Sequence, residues 1–234
     1  MSTLIEYLPL LLDGLIVTLE LLVVGAALAL VVAFTAGLAR LSRHALIRGP
    51  AYVFIEVFRG TSIIVQLFWV FFVLPTALGI ELPPFLVGVL ILSLNEGAYA
   101  AEIVRSAIKS RPVTQTEACI ALGLRPFTRM RRVLIPQSIP AMLPGFGNVL
   151  IDLLKNSALC STVTVIELTR VATIIRDNTG ETTTVFLMLL VVYFVLSVLL
   201  SMGMGVLERR FAISPTARPQ KRQLFTLFRG GVRV

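Results

Sequence analysis

A chain of 234 residues with 56% hydrophobic and 15% charged residues is far from the composition of a soluble domain. Its apolar residues fall in runs of about twenty, the length a helix needs to cross a bilayer, and such unbroken runs exclude the alternating strands of a membrane β-barrel. The net charge of +8 does not mark a nucleic-acid surface, because 18 of the 21 Lys and Arg residues lie in three gaps between those runs, 40–59, 105–132 and 209–234, where positive charge marks a cytoplasmic side.

The first residues carry Glu6 and Asp13 and no basic group, so they do not read as a cleavable signal, and the N-terminus is expected outside. Residues 4–12 read as an interfacial helix or as the outer end of the first span. That span, about 14–39, has Gly25, Ala29, Ala33 and Gly37 four apart, a groove into which another helix packs closely. His44 sits in the first inner loop beside Arg40, Arg43 and Arg48 and reads as a surface residue. The second span, about 52–76, opens with Glu56 and Arg59, three apart and able to pair; Gln66 and Trp69 fall at lipid depth, and 75–84 makes a short outer loop.

The third span, about 84–106, is interrupted by Asn95 and Glu96, with Glu102, Arg105 and Lys109 following on one face. Polar groups at that depth are costly unless they face protein or water, so they are expected to point inward. Next comes Thr116–Pro136, a basic segment between apolar runs. Glu117, Ala118, Ala121 and Leu122 form one short helix, Gly123 suits its left-handed stop, Pro126 opens a second helix, and Pro136 marks the return towards lipid. The fourth span, about 138–160, contains Pro140, Pro144, Gly145 and Gly147 and is expected to be broken or kinked. Asn148, Asp152 and Lys155 can share one of its faces, where Asp152 and Lys155 either pair with each other or meet a solute.

Residues 161–181 read as a short amphipathic helix at the outer face. The last span, about 183–208, has a second small-residue seam at Ser197, Ser201 and Gly205. Residues 212–234, with two prolines and five basic residues, are expected to form a mobile cytoplasmic tail. The expected fold is therefore all-α and integral to the membrane. It has five transmembrane helices within residues 1–211, the N-terminus outside, the C-terminus inside, and a cytoplasmic helix between spans three and four. Cys119 and Cys160 are too distant to pair and lack metal-ligand spacing, so neither a disulfide nor a metal site is expected.

The segment Glu117-Ala118-Cys119, three residues, Gly123, nine residues, then Val133-Leu134-Ile135-Pro136 resembles the signature loop of the membrane subunits of binding-protein-dependent ABC importers. There Cys119, Val133 and Ile135 replace Ala, Ile and Leu. Three further stretches are similar to the branch of that family that takes up polar amino acids. These are Phe54–Thr61 with Gln66, Ala98–Arg105 with Tyr99 and Glu102, and Leu154-Lys155-Asn156-Ser157-Ala158-Leu159. Ser62 stands where Pro is usual, and Ala158 where Ser is common.

The resemblance implies a permease in the bacterial cytoplasmic (inner) membrane that works with an identical or related second permease, an ABC ATPase homodimer and an extracytoplasmic solute-binding protein. It implies ATPase coupling through residues 116–136, with Glu117, Ala118, Cys119, Leu122, Gly123, Arg125 and Arg129 in contact. The chain has no phosphate-binding loop, so ATP and magnesium belong to the partner; no cofactor and no catalytic residue are expected here. Asn95, Glu96, Glu102, Asn148, Asp152 and Lys155 are the candidates for the path of a small zwitterionic solute, which needs an acceptor for its ammonium and a donor for its carboxylate. The alternative is a secondary transporter driven by an ion gradient, with Glu96 and Glu102 carrying protons. An odd span count without a 20–50-residue repeat weighs against the inverted-repeat form of that alternative.

Overall fold

A computed structural model describes residues 7–211, all-helical apart from short links. The expected mobile tail, 212–234, and the first six residues lie outside the described part. Eight helices follow in order: α1 Leu8–Arg40, α2 Ala45–Gly60, α3 Ile63–Leu78, α4 Pro84–Lys109, α5 Val113–Ala121, α6 Pro126–Val163, α7 Leu168–Thr179 and α8 Thr182–Phe211. Helices α1, α4, α6 and α8 are each long and apolar enough to cross a bilayer, and the bent pair α2–α3 makes a fifth span if counted as one. Lipid dictates helices here, because every backbone N–H and C=O must find its partner within the segment.

Helix α1, 33 residues and about 50 Å long, is the mast of the bundle. Residues 8–12 are its first turns. The small residues expected to form a groove are all buried, and they meet different neighbours along its length. Gly14 abuts the Leu168 backbone and the Val171 side chain in α7, and Gly25 faces Leu153 of α6. Gly37 lies so close to α4 that a Cβ there would stand 2.7 Å from the Ala101 carbonyl oxygen. From the other side, Gly97 of α4 fits against Val32 and the Ala29 carbonyl. Helices α5 and α7 therefore sit at opposite ends of the mast: α7 on its first turns, and α5 just beyond the end of α4 that packs on Gly37.

Two prolines are preceded by a π turn, and the cause is the same. A proline inside a helix lacks an N–H and drives its ring into the carbonyl four residues back. In α3, Trp69–Val73 widens into a π turn directly before Pro75, with Leu74 N–H reaching the Trp69 carbonyl. In α6, Met130–Leu134 does so before Pro136, with Ile135 N–H reaching the Met130 carbonyl. The chain thus does not turn at Pro136, as the sequence suggested; the short helix at Pro126 runs straight into the span. Nor is α6 broken at Pro140 or Pro144, which lie within one continuous helix, Ile135–Ser157. Pro136, Pro140 and Pro144 recur every four residues, so their missing hydrogen bonds fall on one side of the helix, where Pro136 and Pro144 are exposed.

The expected second span is two helices that meet at 104°. The break falls at Thr61 and Ser62, both in extended conformation, with ψ of 150° and 133°. The seam expected on the last span is not packed within the chain: a Cβ at Gly205 would meet nothing within 4 Å, and Ser201 is exposed. Helix α8 instead rests on α6 through Met204, which faces Gly147, and through Leu196 and Leu200.

The amphipathic helix expected over 161–181 is α7, which buries Leu168, Val171, Ala172 and Ile175. Its N-cap is the buried Glu167, whose carboxylate accepts from the Thr169 N–H (2.8 Å), the Arg170 N–H (2.9 Å) and the Tyr193 hydroxyl (3.0 Å). Burial pushes the Glu167 carboxyl above the usual range, against these hydrogen bonds, which favour the anion. Thr18 of α1 completes the joint: its Oγ1 donates to the Gly14 carbonyl (2.9 Å) and accepts from the Leu168 N–H (3.2 Å).

Gly37→Val forces a branched side chain against the α4 backbone and is expected to lower stability by about 1–3 kcal/mol, read as a fall in melting temperature in detergent. Gly49→Ala in the exposed interior of α2, with nothing within 4 Å, is expected to leave melting unchanged or raise it slightly. Equal melting of the two variants would show that the α1–α4 contact is not the tight one.

Candidate functional site

The 104° bend is built from hydrogen bonds between polar side chains and the loose end of α2. The last carbonyls of a helix have no intrahelical donor, and at membrane depth they need one from elsewhere. The Phe58 carbonyl accepts from Asn95 Nδ2 (2.8 Å) and Gln66 Nε2 (3.1 Å), the Thr61 carbonyl from Gln66 Nε2 (3.3 Å), and the Arg59 carbonyl from the Tyr99 hydroxyl (3.3 Å). Gln66 Nε2 also reaches Thr61 Oγ1 (2.7 Å), and Gln66 Oε1 accepts from Asn95 (3.2 Å). Asn95, a sequence candidate for the solute path, thus has its amide group committed to the bend.

The bend, α4 and α6 line a cavity of about 730 Å³ that is open on one side. Arg59, Asn95, Glu96, Asn148, Asp152 and Asn156 supply its polar wall. Glu96 is buried and accepts from Asn156 Nδ2 (2.8 Å), while Asn148 and Asp152 are exposed to the open side. Glu102 also borders the cavity but is held by Arg105, whose Nε lies 2.9 and 2.8 Å from its two oxygens, and it lies 3.9 Å from Arg40.

Two ion-pair expectations change. Glu56 pairs with Arg40 of α1 (3.4 Å), not with Arg59. Arg40 projects from the end of α1 and lies over the Tyr52 ring, within reach of Glu56, whereas Arg59 is drawn to α4, its guanidinium carbon 5.1 Å from the Tyr99 ring centre. Asp152 and Lys155, although three apart on one helix, form no ion pair among the described residues. Asp152 lines the cavity; Lys155 lines a separate groove with Tyr193, Ser197 and Ser201 of α8. Five of the six path candidates therefore meet in one cavity and Lys155 does not.

Arg59, Tyr99 and Asn156 also line the cavity and were not among the path candidates. The available signal was Gly60-Thr61-Ser62, poor helix formers inside a supposed span, which would have placed Arg59 at the end of a helix beside a break.

Helix α5 ends as expected. Gly123 has φ +69, the Leu124 N–H reaches the Cys119 carbonyl (3.0 Å), and the Gly123 N–H reaches the Ile120 carbonyl (2.9 Å), a Schellman stop. Glu117, Ala118 and Arg125 are exposed, Leu122 is 78% and Phe127 73% exposed, and Arg129 is half-buried. Cys119, expected at the same surface, is buried against its own chain, whereas Leu122 stands out from it. The helix is tied to α6 by Arg111, which donates to the Gln137 carbonyl (3.2 Å).

Residues 25–213 match the family described as the binding-protein-dependent transport system inner membrane component. The chain is 41% identical over 208 residues to the probable amino-acid ABC transporter permease protein y4tF of Sinorhizobium fredii, covering 87% of each chain. It is 37% identical over 206 residues to the glutamine transport system permease protein GlnP of Escherichia coli, covering 88% of this chain and 94% of that one. A solved structure described as an amino acid ABC transporter with histidines superimposes with a TM-score of 0.83 at 35% identity, over 89% of this chain and 97% of that one. The chain belongs to the family of binding-protein-dependent transport system inner membrane components.

Proposed function

We propose that this chain is the permease subunit of an ATP-driven importer that carries a polar amino acid, or a similar small zwitterion, inward across the bacterial cytoplasmic membrane. The observation that carries the reading is the cavity between the bend, α4 and α6: it holds the carboxylates of Glu96 and Asp152 between helices long and apolar enough to cross a bilayer. Charged groups at that depth are expensive and are kept where a solute or water meets them. The amino-acid and glutamine permeases to which the chain is similar support the solute class.

In this reading Asn148 and Asp152 face a second permease that closes the cavity's open side, an extracytoplasmic binding protein delivers the solute, and an ABC ATPase homodimer holding ATP and magnesium binds α5 on the cytoplasmic face. The exposed Leu122, Ala118 and Phe127 supply apolar contact, Glu117, Arg125 and Arg129 supply charge, and Gly123 fixes where the helix stops. Cys119 acts from beneath, by holding α5 to its own chain. The proton-carrier alternative is not favoured: Glu102, one of its two candidate carriers, is paired with Arg105 and lies 3.9 Å from Arg40, and the relatives are named as ABC transporter permeases.

Asp152→Asn and Glu96→Gln, each reconstituted with the ATPase and binding protein, are expected to cut ATP-dependent uptake about 10-fold or more while the complex still assembles. Uptake unchanged in both variants, or driven by a proton gradient without ATP, would overturn the reading.

Leu122→Asp alters a side chain that its own fold hardly touches. It is expected to leave melting unchanged but to reduce copurification of the ATPase about 10-fold or more, since an unpaired carboxylate would enter an apolar contact. Retention of the ATPase at the wild-type level would remove α5 from the coupling surface.

A further inference from the structure

The cavity wall contains one cation, Arg59, among its described residues. Its guanidinium makes no hydrogen bond and no ion pair among the described residues, and its Nε is buried without an acceptor. Buried donors are ordinarily satisfied, and a charged one left alone is costly.

The surroundings explain why Arg59 has no partner among the described residues. The nearest helix-end carbonyls, those of Phe58, Arg59 and Thr61, are already occupied by Asn95, Gln66 and Tyr99. Glu56 is taken by Arg40, and Glu102 by Arg105 with Arg40 close by. The Tyr99 ring holds the guanidinium by its face, an interaction that orients the plane and uses none of its N–H groups. A pre-oriented fork of donors, with the neighbouring helix-end carbonyls, Glu56 and Glu102 already engaged, borders the same space as Asp152 and Glu96.

We propose that Arg59 is the carboxylate anchor of the cavity: it takes the α-carboxylate of an amino acid whose ammonium lies against Asp152 and Glu96. This rests on the amino-acid reading above and adds to it the residue that selects for the carboxylate. The wall then favours a zwitterion over either simple ion. A bare anion reaching Arg59 meets two carboxylates, and a bare amine leaves the guanidinium unsatisfied. Discrimination by a group left unpaired is stronger than discrimination by fit alone.

The test uses the purified permease–ATPase complex in detergent, without the binding protein, so that affinity reports the cavity. Equilibrium dialysis against each of the twenty radiolabelled L-amino acids identifies the one retained, and competition with its decarboxylated amine measures selection for the carboxylate. Wild type is expected to prefer the amino acid about 10- to 100-fold, the range of a charge-assisted pair. Arg59→Gln is expected to erase that preference by weakening the amino acid and not the amine, and Arg59→Lys to retain part of it. If Arg59→Gln weakens acid and amine equally, or neither, Arg59 is not the anchor, while the amino-acid path stands. If wild type binds no L-amino acid, the amino-acid reading of the cavity falls, and the anchor with it.

Discussion

The cavity exists because a helix ends inside the bundle, and that ending depends on the Phe58 carbonyl finding two amide donors. Water would ordinarily solvate such a carbonyl; in a bilayer it is absent, and an unmet carbonyl costs on the order of several kcal/mol. Asn95 from α4 and Gln66 from α3 meet it instead, and they bond to one another. A span can therefore turn by 104° without exposing unsatisfied backbone. Both amides are polar residues that look misplaced in apolar runs, and both are there for the backbone.

Around this bend the rest of the molecule is fixed by close contact. Residues without bulk let α4 approach α1 until a carbonyl on one lies 2.7 to 3.1 Å from where a Cβ of the other would be, at Gly37 and Gly97. Hydrophobic burial contributes little between helices in lipid, so such contact, with its dispersion energy, is what holds the pair in register. Glu167 performs the equivalent task for α7, which is joined to α1 through Thr18 and to α8 through Tyr193. Of the two buried side-chain nitrogens without a partner among the described residues, Arg59 Nε borders the cavity and Arg111 Nε lies in the link before α5.

The parts legible in the sequence were those set by local chemistry. The apolar runs foretold helices, the four-residue stripe of α1 foretold a tight seam, and Gly123 foretold a left-handed stop, since each follows from spacing or from a single backbone requirement. What was not legible depended on a neighbour. Helical spacing alone allowed Glu56–Arg59 and Asp152–Lys155, yet Arg40 and Tyr99 from other helices claim the members of the first, and in the second Asp152 lines the cavity while Lys155 lies in a groove against α8. The prolines of α6 were misleading for a related reason: a π turn absorbs the first ring, and the others recur on one side, so the helix continues. The four-apart small residues of α8 show the reverse case, a seam in pattern whose Gly205 meets no close neighbour among the described residues and whose Ser201 is exposed.

The connection between the cavity and α5 follows from chain continuity. Glu96 stands on α4, which runs unbroken for thirteen more residues, about 20 Å, to Lys109 and then enters α5 after a short link. Asp152 stands on α6, which begins at Pro126, only a few residues after α5 ends, and continues through the cavity wall. The two ends of the α5 segment are thus joined directly to two walls of one cavity. The Arg111 bond to Gln137 and the burial of Cys119 keep that segment from swinging independently. Any force applied to the exposed side of α5 has to be carried by α4 and α6 together, and a helix transmits a displacement along its length far more readily than it absorbs one by stretching its hydrogen bonds. Relative motion of these two walls changes the separation of Glu96 and Asp152 from Arg59, which belongs to neither helix. In the function proposed above, grip on a solute held between them would thereby be coupled to α5 by the architecture of the chain.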